Sequence, residues 1–112
     1  MRLIIVASLA IAGCTSVADL RDDQPFAVMT SDKAPAEWAA CMTQQWEAGP
    51  HSVNVVPLPN GMSARQSSAF IDSVQMLKVV DAVSVGTETQ VTVYKRGGES
   101  SEKMQREIEA CA

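Results

Sequence analysis

Histidine occurs once in these 112 residues, at position 51, and the chain has no Cys-x-x-Cys pair, zinc-ligand spacing, glycine-rich phosphate loop or EF-hand. A lone His51 beside Gly49-Pro50 reads as a solvated turn residue. It leaves no Ser–His–Asp or Cys–His constellation to assemble, so we expect no enzyme and no cofactor. Asp72 and Asp81 lie nine positions apart along one strand pattern, with no reason to meet as an acid and base. Basic residues are also few: nine Lys and Arg against thirteen Asp and Glu leave a net charge of −4. That balance argues against a nucleic-acid partner gripped through its phosphates. Lys95-Arg96 before Gly97-Gly98 could hold an anion, yet two basic residues at a strand end are ordinarily just solvated. The apolar run near the N-terminus, Leu3 to Ile11, is shorter than the roughly 20 residues needed to cross a bilayer core.

What remains is a globular composition, with 46% hydrophobic and 20% charged residues, in a length that suits one small domain. The N-terminus has a positive start at Arg2, the short apolar run, then Ala12-Gly13 and a cysteine. This order is that of a secretory signal with a small-residue cleavage site. Ile11-Ala12-Gly13-Cys14 resembles the lipobox of bacterial lipoproteins.

The resemblance implies cleavage before Cys14, a thioether-linked diacylglycerol on its sulfur, and acylation of the freed amine. Residues 1–13 would be the signal peptide. Small side chains let the peptidase close on the backbone, and the thiol takes the lipid. Each buried methylene contributes roughly 0.8 kcal/mol, so two or three acyl chains make a lasting membrane anchor. In enterobacterial lipoproteins an Asp after the lipidated Cys signals inner-membrane retention. Thr15 at that position implies the outer membrane, facing the periplasm.

Three cysteines in an exported chain leave one over, and giving Cys14 to the lipid leaves Cys41 and Cys111. An oxidising compartment makes a disulfide between them the default. It would be worth roughly 4 kcal/mol in the chain-entropy model. Two free buried thiols are the rival reading; a redox pair finds no support without a Cys-x-x-Cys spacing.

Residues 14–33 carry Asp19, Arg21, Asp22, Asp23 and Asp32 with little apolar periodicity. They read as a lipidated Cys followed by a flexible tether reaching roughly 20–25 Å. Residues 34–112 read as the domain. Pro35 suits the first turn of a helix running to Glu47, with Trp38, Cys41, Met42 and Trp46 near one face and Gly49-Pro50 as its stop. The two tryptophans read as core rather than as a ligand platform.

Ser52 to Leu58 reads as a strand held to an edge by Pro57, and Pro59-Asn60-Gly61 as a turn in which Asn and Gly tolerate positive φ. Met62 to Asp72 reads as a short return strand and a loop. Ser73 to Val85 and Thr89 to Tyr94 alternate as an antiparallel hairpin around Gly86-Thr87. Glu99 to Glu102 supplies cap and first-turn residues for a last helix with Met104, Ile108 and Cys111 on one stripe. Both cysteines then sit on apolar stripes. The expected fold is α+β: a two-layer sandwich of a three- to four-stranded antiparallel sheet with an N-terminal and a C-terminal helix on one face, joined by the disulfide.

The mature part also resembles small envelope lipoproteins of Gram-negative bacteria that end in a Val-Thr-Val-Tyr-like strand (Val91-Thr92-Val93-Tyr94) and a helix closing on Cys. The expected function is a non-catalytic binding or accessory module, held to the membrane through Cys14 and serving an envelope protein partner. The alternative is an inhibitor of a cell-wall hydrolase, or a phage exclusion factor, using the 57–68 segment as a plugging loop.

Overall fold

A computed structural model describes residues 15–70 and 73–112. Residues 1–13, expected to be a signal peptide, together with Cys14 and Asp72, lie outside the described residues. Eight elements follow in order: α1 (Val17–Asp22), β1 (Ala27–Ser31), α2 (Pro35–Glu47), β2 (Ser52–Leu58), β3 (Gly61–Phe70), β4 (Ser73–Val85), β5 (Glu88–Lys95) and α3 (Ser101–Cys111).

The fold is α+β, but the antiparallel sheet has five strands rather than three to four, in the order β1-β5-β4-β3-β2. The added strand, β1, and the extra length of β3 come from segments rich in polar residues. Residues read as a tether form α1 and β1. Ser16 caps α1 by accepting from the Asp19 amide, and Asp19 in turn accepts from the Ser16 amide. β1 pairs with β5 from Ala27↔Val93 to Ser31↔Thr89, as a five-residue edge strand. A short edge of this kind needs little apolar sequence, because only one of its faces meets a core.

The 57–68 segment is likewise a hairpin and not a loop. β2 and β3 pair from Ser52↔Ser67 to Leu58↔Gly61, leaving a two-residue turn at Pro59-Asn60. Gly61 does not use a positive φ; a Cβ there would stand 2.0 Å from the Ala82 carbonyl oxygen. Glycine is needed for the close approach of β4, while Gly86, at φ +63, serves the β4–β5 turn by conformation. β2 lies on an edge, as Pro57 requires.

α2 and α3 cover one face. Trp38, Ala39, Met42 and Trp46 of α2 and Met104, Ile108 and Cys111 of α3 pack on Ala64, Val80, Ala82, Val91 and Val93. Trp38 and Trp46 are core, buried to 1% exposure each, and small Ala64 and Ala82 beneath leave the indoles room. Cys41 and Cys111 are bonded, with an S–S distance of 2.01 Å, so the two helices are covalently joined on this face.

The other face carries a second, smaller cluster. Strand alternation turns Val79 and Asp81 away from α2 and α3. There Arg21 of α1 grips Asp81 with both Nε and Nη2, each at 2.9 Å, while Leu20 is fully buried beside it in sequence. The Asp81 carboxylate, through these hydrogen bonds, holds the guanidinium still more firmly protonated. α1 is thus a strap across the sheet.

Candidate functional site

Two places gather groups that a plain core does not need. The first is a polar pocket at one end of the helix-covered face. Lys78 belongs by alternation to the same strand face as Val80 and Ala82, yet it is a lysine and only 2% exposed. Its Nζ donates to Glu107 Oε1 at 2.7 Å, a buried ion pair supplied by α3. Gln66, the cross-strand partner of Lys78, is buried, and its Oε1 has no hydrogen-bond partner. Gln45 Nε2 reaches over to the Glu107 carbonyl at 2.7 Å and to Cys111 Sγ at 2.9 Å.

A cavity of about 260 Å³ opens against this cluster, lined by Gln45, Trp46, Gln66, Lys103 and Glu107, with exposed His51 on its rim. Glu107 and Lys78 neutralise one another at the cavity wall, and the further basic side chain that lines it is exposed Lys103. The sequence held a signal for the pair, since Glu107 precedes Ile108 on the buried stripe and Lys78 shares a face with two core residues. Periodicity alone averages such exceptions away.

The second place is the end of the sheet where the chain enters the domain. The Met76 amide donates to the Thr15 carbonyl at 2.8 Å, beyond the end of β5. Thr15, the first described residue, is therefore already tied to the central strand β4 rather than part of a free tether. At this end Gln66/Ser67 marks a register shift, with Leu77 the extra residue on β4. The Arg96 amide caps the Leu77 carbonyl at 2.8 Å, and the Arg96 guanidinium donates to Gln75 Oε1. Lys95 Nζ stands 5.6 Å from the centre of the Phe26 ring and donates to the Glu99 carbonyl.

Of the candidates from sequence, Cys41 and Cys111 are brought together and Asp81 is taken by Arg21. Lys95 and Arg96 are engaged locally rather than cupped around an anion. Among the described residues no group of three or more His, Cys, Asp or Glu is placed to hold a metal, and no helix is long and apolar enough to cross a membrane.

These features define a disulfide-bonded α+β domain: an antiparallel sheet with two linked helices on one face and a helical strap on the other. Comparison with known protein families, curated proteins and solved structures finds no match for this chain.

Proposed function

We propose that the protein is a lipid-anchored module of the bacterial cell envelope. It is attached through Cys14, faces the periplasm from the outer membrane, and acts by binding an envelope protein rather than by catalysis. The observation that carries this reading is how the cysteines are used. The Cys41–Cys111 bond accounts for two of three, leaving the lipobox cysteine as the sole remaining thiol, next to the first residue tied into the domain. A partner has the outer edge of β2 and the sheet face beside α1 to meet. The inhibitor reading relied on a projecting 57–68 loop, and with that segment paired in a hairpin no observation favours it.

Mass spectrometry of the N-terminal peptide from membrane-purified protein tests the anchor. A diacylglyceryl group on Cys14 is the expected result, and Cys14→Ser should move the protein from the membrane to the soluble fraction. An unmodified Cys14 in membrane-purified protein overturns the reading. For the partner, a photocrosslinker at Val55 on the exposed edge should trap a discrete species in intact cells. Diffuse background alone would remove the binding role.

A further inference from the structure

The polar end of the helix-covered face holds a hollow walled by Gln45 and Trp46 of α2 and by Lys103 and Glu107 of α3, with Gln66 of β3 beneath. The two walls cannot drift apart. Cys41, about one helical turn before Gln45, is bonded to Cys111, about one turn after Glu107. Gln45 Nε2 also donates to the Glu107 carbonyl at 2.7 Å. The hollow is thus formed before anything enters it, which spares a ligand the cost of ordering its site. A cavity of roughly 150 Å³ holds a benzene ring, so the 260 Å³ here has room for roughly ten heavy atoms.

Two lining residues each carry a buried polar atom without a hydrogen-bond partner. Trp46 Nε1 is a donor and Gln66 Oε1 an acceptor, on residues 1% and 4% exposed. Buried groups of this kind are nearly always paired, because an unmade hydrogen bond costs stability. Neither atom touches solvent where it stands, so water in the hollow does not satisfy it. A donor and an acceptor left over around one hollow complement a single amide, which offers a carbonyl oxygen and an N–H. Charge adds a second requirement. Glu107 is the one acid among the lining residues, and Lys78 neutralises it. Lys103, exposed and one turn before Glu107 on α3, forms no ion pair among the described residues. Glu47, Glu102 and Arg106 neighbour this set on α2 and α3, but they are exposed and do not line the hollow. The mouth therefore carries a lysine without a counter-charge, which suits a carboxylate.

We propose that this hollow binds an acylated amino acid, free or as the C-terminal residue of a peptide. The amide carbonyl accepts from Trp46 Nε1, the amide N–H donates to Gln66 Oε1, and the carboxylate lies at Lys103. The Gln66 carboxamide meets the ligand by turning about its last side-chain torsion, which is broad and soft. The site goes beyond membrane attachment and does not depend on what Cys14 carries.

The test uses the purified, disulfide-closed protein, isotope-labelled for nuclear magnetic resonance, held in detergent micelles and titrated with N-acetylalanine. The Trp46 indole N–H signal should move downfield and saturate, severalfold further than that of Trp38, whose Nε1 is also unpaired but which does not line the hollow. Acetamide should move the same signal with severalfold weaker affinity, and acetate should leave it unmoved. Lys103→Gln should reduce the affinity for N-acetylalanine to that for acetamide. Gln66→Leu should abolish the saturable shift in a fold that melts no lower than wild type, since it removes an unpaired buried acceptor. Acetyl-trialanine that binds as tightly as N-acetylalanine assigns the site to peptide ends, and severalfold weaker binding assigns it to the free acylated amino acid. No saturable movement of the Trp46 signal, or equal movement of both indoles, overturns the site. A Gln66→Leu protein that loses stability overturns it too, because Trp46 and Gln66 would then be satisfying one another.

Discussion

The face of the sheet beneath α2 and α3 and the face crossed by α1 are built from the same five strands, yet they are held by different means. The first gathers two tryptophans, two methionines and five small or β-branched strand residues into one cluster, and a covalent bond joins its two helices. The second has Leu20 and one bidentate ion pair, whose arginine is 34% exposed, under a six-residue helix. The difference shows how a small domain divides its labour. One face sets stability, and the other needs only enough contact to bring the N-terminal segment to the root of β4.

The comparison breaks hardest at the disulfide. Replacing Cys41 and Cys111 together by Ala should lower the unfolding free energy by about 4 kcal/mol, since the bond spans 70 residues of sequence. Chemical denaturation followed by tryptophan fluorescence measures it. A change below about 1 kcal/mol would mean that core burial, not the cross-link, holds the helices.

Next comes the buried pair. Glu107→Ala leaves the Lys78 ammonium without its partner and should cost about 3–5 kcal/mol, whereas Lys78→Met with Glu107→Leu should be close to neutral or stabilising. If the double variant is as unstable as the single one, the pair contributes more than its own desolvation.

On the strap face, Leu20→Ala should cost about 2–3 kcal/mol at most, near the low end for a leucine truncation because α1 can lift rather than leave a void. Amide exchange should then quicken in α1 and β1 with protection in β4 and β5 retained. Uniform loss of protection would show the strap to be integral to the core.

The smallest effect is one of pH. The Ser16 backbone amide, and secondarily its hydroxyl, hold the Asp19 carboxyl below its ordinary value of 3.8. A carboxylate with a lowered value contributes stability that is present above pH 3.8 and fades as the pH falls through the lowered value. α1 amides should therefore lose protection on acidification by an amount that Asp19→Asn abolishes. An identical acid response in wild type and variant would exclude the capping box as its source.

How far the sequence could be read follows this same division. α2, α3, the β4–β5 hairpin and the disulfide were legible because strong periodicities bury one side of each element. α1 and β1 were not: one buried residue, Leu20, holds the helix, and β1 shows the core only Ala27 and Met29. The cap was in plain sight at Ser16 and Asp19, but Asp22-Asp23 and Asp32 around these elements suggested a solvated tether. β3 was hidden for another reason. Its buried positions are Ala64 and Gln66 on the helix-covered face and Ser63 beside Asp81 on the other, a composition that resembles a loop. The polar pocket was half legible: Lys78 and Glu107 each interrupt an apolar stripe, but that the two meet is decided only when β4 and α3 are packed.

The strand order also dictates a sequence of assembly. β2, β3, β4 and β5 form an up-and-down meander in which each strand pairs with its neighbour in the chain, so these contacts close quickly over short loops. β1 must wait, because its register partner Val93 lies 66 residues after Ala27. The disulfide waits likewise, since Cys111 belongs to the last helix. The strand nearest the start of the described chain is thus the one that docks last: β4 can receive Thr15 and Arg21 as soon as it is laid down, but β1 has no edge to pair with until β5 is in place.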